Sequence, residues 1–270
     1  MNMKRGMLVA GLPILMSLFV FSQPGFALGK KKTATQQEKT AAKAPVKVGN
    51  SLLPDQAGGG SALDKVLTQM DQQAANFKNA QANFVWDQYT KVVDDHDLQE
   101  GSIYFRRQSK TDVQMSAEIT KANSQPIAKV VLFTDGMVRL YEPKIDRVTE
   151  YAAGKNKAEF ESFLVLGFGG GGHDMLKSFD VKYDGEETVQ GVKTAKLDLN
   201  PKSQKVRSMF NRIILWIDPA RGVSVQQQFF DADGNYRLAK YNNIKLNDKI
   251  NDDVFKLKTT SKTQVVRPNS

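Results

Sequence analysis

Residues whose types could do chemistry are sparse in this chain, and their spacing argues against most catalysis. Of 270 residues none is Cys, which removes disulfides, thiolate metal sites, cysteine nucleophiles and a lipid-modified N-terminal Cys. The two histidines, His96 and His173, lie 77 positions apart, so a His-rich metal or catalytic cluster is not expected. His173 sits beside four glycines, without Ser or an acidic partner at a recognisable motif spacing, and reads as a surface-loop residue. Gly167, Gly169 and Gly172 fit G-x-G-x-x-G. A dinucleotide site would need a strand before them, a full helix after them and a crossover to a parallel strand. Hairpin patterns surround this run instead, so it reads as a flexible glycine linker after an apolar helix. Asp231, Asp233 and Asn235 open like a calcium loop, but Asn242 takes the place of the closing Glu, and a hairpin turn is the simpler reading. Glu186-Glu187 and Asp94-Asp95 are adjacent carboxylates at turns, where solvated charge is the default. No catalytic residue, metal ligand or cofactor is assigned, and no enzyme activity is expected.

The apolar inventory is more informative. At 40% hydrophobic residues the chain has the means to build a core. Leu63, Val66, Leu67, Met70, Ala74 and Phe77 recur at helical spacing over 61–79, with Ser61 as the expected N-cap and Asp64 three positions on. The period then changes to two. Ala82, Phe84 and Trp86 alternate with polar or smaller residues; Ile103 and Phe105 follow; Val113, Met115, Ala117 and Ile119 give the clearest strand signature. Asp94–Asp97 and Asp135-Gly136 are turn chemistry. Short connections across six successive strands argue for an antiparallel meander, since parallel strands need long crossovers. Phe160, Phe163, Leu164, Leu166 and Phe168 then make a short apolar helical run that ends at Gly169–Gly172. Strands resume to residue 246, with turns read at Asp184-Gly185, Gln190-Gly191 and Asp233-Gly234. A dozen twisted strands tend to curl. The fold class is therefore mainly β (α+β): a strongly curved antiparallel sheet covered by an N-terminal helix and a short apolar helical lid. Its concave side, lined by Phe84, Trp86, Phe105 and Met115, would enclose either a packed core or a hollow.

Met1–Ala27 reads as a cleaved signal peptide: Lys4 and Arg5, an apolar run over 7–21, and small Gly25 and Ala27 before the cut. Residues 28–60, Lys/Ala/Gly-rich, read as a disordered tether, 61–260 as one domain and 261–270 as a flexible tail. The net charge is +9. The leader holds two of these charges and the tether four net, so only +3 remains on the body. That is too thin for a nucleic-acid-binding face. Lys30-Lys31-Lys32 is short of a polybasic membrane cluster, and a solubilising linker is the plainer reading.

The order of elements, with Gly101-x-x-x-x-x-Arg107, Thr134-Asp-Gly-Met-Val-Arg-Leu-Tyr-Glu-Pro143, Ile213-Ile-Leu-Trp-Ile-Asp218, Gln228-Phe-Phe-Asp231 and Asp253-Val-Phe255, resembles the outer-membrane lipoprotein carrier family, the LolA-like proteins, over roughly residues 62–258. The resemblance implies an incomplete barrel with a helical lid over an apolar cavity. It implies a soluble, monomeric periplasmic protein that shuttles lipoprotein acyl chains from an inner-membrane lipoprotein-releasing transporter to an outer-membrane receptor. The cavity residues would be Phe84, Trp86, Ile103, Phe105, Met115 and Ile119 of the sheet with Phe163, Leu164 and Leu166 of the lid. Arg107 matches the family's latch, an Arg that hydrogen-bonds the lid; Arg106 would replace it if the register slipped by one. From its residues alone Arg107 is equally a strand-end surface Arg. A periplasmic lipid- or lipoprotein-sensing regulatory module on the same fold is the alternative.

Overall fold

The computed structural model describes residues 57–109, 112–154, 161 and 163–268. The expected leader (1–27), nearly all of the tether and Phe160 lie outside the described residues. The first helix, α1, spans Ala57–Asn76 and so begins four residues before Ser61. Asp64, read as support for a cap at Ser61, instead faces His173. The stripe is as expected: Val66, Leu67 and Met70 are buried.

Twelve strands follow among the described residues. β1 (Asn79–Thr90), β2 (Asp95–Ser109), β3 (Asp112–Ala122), β4 (Gln125–Thr134), β5 (Met137–Glu142) and β6 (Arg147–Ala152) form the meander. After the strap, residues 163–171, come α2 (Gly172–Ser178), β7 (Phe179–Val189), β8 (Val192–Pro201), α3 (Gln204–Arg207), β9 (Arg212–Asp218), β10 (Val223–Phe230), β11 (Tyr236–Leu246) and β12 (Gln264–Val266). All twelve lie in one sheet, ordered β12-β6-β5-β4-β3-β2-β1-β11-β10-β9-β8-β7. The two meanders join through the antiparallel pair β1–β11, and β7 and β12 are left as edges. Every pairing is antiparallel except β12 on β6. The result is the unclosed, curved barrel that the resemblance implies.

Register irregularities at Gln81/Asn83, Glu100/Gly101, Ile119/Lys121 and Ser224/Gln226 bend the central strands, because a bulge adds an unpaired residue to one strand and raises local twist. Asp184-Gly185 is another such irregularity, inside β7 between Tyr183 and Glu186, and not the turn that its composition suggests. Asp135-Gly136 and Gln190-Gly191 do turn the chain, each pair with positive φ; this is the type I′ geometry whose twist matches the strands it joins. At the first hairpin, residues 91–94 turn and β2 starts at Asp95. Asp95, His96 and Asp97 pair with Thr90, Tyr89 and Gln88, so they belong to the ladder, and His96 Nδ1 lies 2.8 Å from Asp87 Oδ1.

The segment read as a tail, 261–270, carries β12. Asp146, in the left-handed region after a short 3-10 turn, anchors it. Thr263 Oγ1 and Thr260 Oγ1 donate to its carboxylate at 2.6 and 2.9 Å, and these bonds hold its pKa below the usual carboxylate range.

The concave face is divided. On one half, Leu67 and Met70 of α1 pack on Leu197, Leu199, Ile213, Leu215 and Ile217 of β8 and β9. Fully burying such a side chain contributes about 1.5–3 kcal/mol, so this half is an ordinary core. The other half, from β11 through β1 to β4, is met by the strap.

Candidate functional site

Alternation along β2 turns Ile103, Phe105 and Arg107 to the concave side. Ile103 pairs with Ala82 and Ala117, and Phe105 with Ala80 and Met115. The alanines leave the larger side chains room to project inward. A hollow of about 70 Å³ lies between this wall and the strap. Of the residues expected in a cavity, Trp86, Ile103, Phe105, Met115, Phe163 and Leu164 line it. Phe84 is buried beneath them, stacked on Trp86 at 4.0 Å between ring centres, and Ile119 is buried in the same cluster. Leu166 turns the other way, into the core around α1. The remaining walls come from Phe168, Gln227, Phe229, Arg237, Ala239 and Tyr241.

The hollow is small because Phe168 fills it. Its ring stacks on Phe105 at 4.8 Å and meets Tyr241 edge-on at 4.9 Å, and only 1% of the residue is exposed. A cavity of roughly 150 Å³ admits benzene, so the space left here admits no acyl chain while Phe168 stays in place. The concave wall is apolar, and it is plugged.

Three polar contacts fasten the strap at nearly consecutive carbonyls. Gln227 Nε2 donates to Leu166 O at 2.6 Å, the Ser224 N–H donates to Gly167 O at 2.7 Å, and Arg107 Nη2 donates to Gly169 O. Arg107 Nη1 also donates to Ala74 O at 3.0 Å, near the end of α1, and the guanidinium carbon lies 5.4 Å from the Phe77 ring centre. Burial lowers the Arg107 pKa, yet a guanidinium remains charged throughout the physiological range. One charged group thus ties together strand, helix and strap. Arg106 faces the opposite side of the sheet. It donates to Gln114 Oε1 at 2.8 and 3.0 Å and to Asp252, and lies over Phe255.

The glycine run is part of this closure and not a loose linker. At Gly169 (φ 77°) a Cβ would fall 2.3 Å from the Phe77 ring. At Gly172 it would fall 2.3 Å from the Leu67 carbonyl oxygen, where α2 crosses α1. The G-x-G-x-x-G spacing therefore reflects close packing and a left-handed turn. His173, on the first turn of α2, is not free in a loop. Its Nδ1 lies 2.5 Å from Asp71 Oδ2 and its Nε2 3.2 Å from Asp64 Oδ1, both on α1. With both ring nitrogens held by carboxylates, neither is available to take a proton from a substrate.

The hydrogen bond to Asp71 first, then that to Asp64, raises the His173 pKa above its ordinary value. A raised folded-state pKa means that the charged imidazole stabilises the α1–α2 contact. That contribution is full below the unfolded value, about 6.5, and is lost as pH rises through the folded pKa. Amide exchange in α2, corrected for the intrinsic rate, is expected to speed up over that rise, and His173→Gln should flatten the dependence. An unaltered profile in the variant would refute the clasp.

None of the six residues of the remaining walls is among the cavity residues expected from the sequence, and Gln227, Arg237 and Tyr241 are the polar ones. Tyr241 Oη donates to Gln227 Oε1 at 3.2 Å, and burial pushes the phenol up to about 12. The signal was present as parity, since Gln227 is in phase with Phe229, and Arg237 with Ala239 and Tyr241. Among the described residues no group of His, Asp or Glu is arranged to hold a metal ion.

A protein-family profile described only as an uncharacterized protein matches residues 131–250. No curated protein matches the chain. Among solved structures, an uncharacterized conserved protein from Thermus thermophilus matches at 14% identity and a TM-score of 0.49, over 76% of this chain and 99% of that one. A LolA superfamily protein from Nitrosomonas europaea matches at 12% identity and a TM-score of 0.36, over 72% and 97%. A chain of the Pseudomonas aeruginosa MucA/MucB complex matches at 14% and 0.44, over 73% and 61%.

Proposed function

We propose that this chain is a non-enzymatic carrier that shelters the acyl chains of lipoproteins, or of similar amphiphiles, between the concave sheet and the strap. In this reading the leader is cleaved on export, 28–60 is a tether, and the domain shuttles cargo through the periplasm as a monomer. It would collect cargo from an inner-membrane lipoprotein-releasing transporter and deliver it to an outer-membrane receptor.

The observation that carries the reading is how the apolar wall is covered. Half of the concave face is closed by continuous helix packing. The other half is closed by the Phe168 ring, with Leu164 beside it, and by a few hydrogen bonds to strap carbonyls. Burying Phe168 is worth about 1.5–3 kcal/mol. Each neutral hydrogen bond adds about 0.5–1.5 kcal/mol net and each charged one about 1.5–3. Burying an acyl chain of about 15 methylenes at about 0.8 kcal/mol each contributes roughly 12 kcal/mol. A chain that takes the place of Phe168 therefore gains more than the strap loses, so cargo opens the site and an empty site closes. A closed empty state also keeps the apolar wall from water, where a large exposed patch would invite association.

The test is uptake. Purified protein is titrated with N-phenyl-1-naphthylamine, and a synthetic diacylated lipopeptide then competes. Saturable fluorescence displaced by the lipopeptide is expected, with acyl-bearing amphiphile detectable by mass spectrometry in solvent extracts of the protein. No dye uptake and no extractable amphiphile would mean that the concave face is simply a filled core.

A further inference from the structure

We propose that Arg237, with Gln227 and Tyr241 beside it, is a head-group site in the cavity wall, so that the preferred occupant is a long-chain amphiphile with an anionic head. The inference rests on the carrier reading and names the chemistry of its ligand.

The three residues come from adjoining strands in fixed register. Gln227 pairs with Ala239 and Phe229 with Arg237 across β10 and β11, and these four line the hollow together with Tyr241. Alternation places Arg237, Ala239 and Tyr241 on one inward face. The rest of the wall is apolar, so these residues concentrate the polarity of the hollow in one region. Within it Gln227 and Tyr241 are bonded to each other and Gln227 to the strap. That network orients the Gln227 amide and the Tyr241 hydroxyl beside a cation.

Arg237 itself is half-buried, with its guanidinium carbon 5.4 Å from the Phe229 ring centre. Burial pulls its pKa below the usual guanidinium value. A guanidinium stays protonated nonetheless, so positive charge is maintained in surroundings where water screens poorly. Charge interactions strengthen there, and a carboxylate or phosphate oxygen is the group that a planar guanidinium meets with two parallel N–H donors. Gln227 links the same site to the closure. Its amide holds Leu166 O, so a head arriving at Arg237 lies next to one of the three strap fastenings.

The shared chemistry is an acyl chain with an anionic head, supplied either as a free fatty acid or as a phospholipid. Full-length protein is loaded with cis-parinaric acid or with its methyl ester, and binding is followed by fluorescence. The acid is expected to bind about tenfold more tightly, equivalent to about 1.4 kcal/mol. Arg237→Gln should abolish that difference with little change for the ester, and Arg237→Lys should keep most of it. Displacement by palmitate, by palmitoyl-lysophosphatidylglycerol and by 1-hexadecanol then separates the sources. Better displacement by palmitate indicates a fatty acid, better displacement by the lysolipid indicates a phospholipid, and both should outcompete the alcohol. Equal binding of acid and ester to the unaltered protein overturns the head-group site and leaves the carrier reading standing. Persistence of the acid preference in a folded Arg237→Gln variant also overturns it. Binding of neither probe overturns both.

Discussion

Phe168→Ala is expected to lower thermal stability sharply and at the same time to speed the uptake of apolar ligands. The ring is almost fully buried between Phe105 and Tyr241. Deleting a buried phenylalanine ring costs about 3–5 kcal/mol when the hole is left unfilled, and each lost aromatic contact adds part of that sum. For a domain of this size one kcal/mol corresponds to roughly 2–4 °C in Tm, so a fall of roughly 6–20 °C is expected in the empty protein. The ring's position distinguishes this substitution from a change in the core. It belongs to the strap, and removing it enlarges the hollow between Trp86, Met115 and Leu164 that cargo would occupy. Dye should therefore enter faster and bind more tightly, and saturating dye should recover much of the lost Tm, since a ligand that binds only the folded state raises its stability by mass action. Leu215→Ala, in the core around α1, is the control: it should lower Tm without faster uptake. A Phe168→Ala protein that behaves like this control, unstable and no more receptive, would show the ring to be structural only.

Much of this arrangement was legible from residue spacing, and the misses share a physical origin. Val113, Met115, Ala117 and Ile119 alternate without interruption, and β3 lies where they place it. The same parity puts Arg107 on the concave side and Arg106 on the other. Bulges are invisible to such a count. Asp184-Gly185 has turn composition, but the long strands on either side continue through it because β8 pairs with both halves. Leu166 is as apolar as Leu164, but the two lie two positions apart in a helical turn, about 200° around its axis, and so face opposite ways. The glycine run reads as slack because glycine is common in loops. Here the missing Cβ is what lets α2 touch α1 and the strap touch Phe77. Gln227 and Arg237 keep the phase of their apolar neighbours Phe229 and Ala239, and apolar periodicity alone does not mark polar residues on that face.

Arg107→Leu is expected to leave ligand uptake intact while slowing transfer of cargo to an acceptor. The closed state uses this side chain twice, at Ala74 O and Gly169 O, with the Phe77 ring beside it. Hydrogen bonds from a charged donor are each worth about 1.5–3 kcal/mol, and removing the donor leaves two carbonyls to find other partners. Leucine fits the apolar wall, so the protein should still fold. Under the proposed carrier function, the balance that shifts is between closed-empty and open-loaded states. If the closed state is populated in the free protein, any ligand must displace it, and apparent affinity is reduced by the fraction that is closed. Weakening the closed state raises the competent fraction and removes the gain in free energy that expels cargo when the strap returns. Handover then slows because the donor protein holds its cargo more tightly, and the effect should appear in the rate of leaving. Fluorescent lipopeptide bound to the variant, mixed with acceptor vesicles of phosphatidylethanolamine and phosphatidylglycerol, should depart about tenfold more slowly than from the unaltered protein. Arg107→Lys supplies a single ammonium in place of the fork and should fall between the two. Arg106→Leu, altered on the outer face against Gln114 and Phe255, should transfer at the normal rate. Equal rates for Arg107→Leu and the unaltered protein would mean that the contact holds the fold together without governing release.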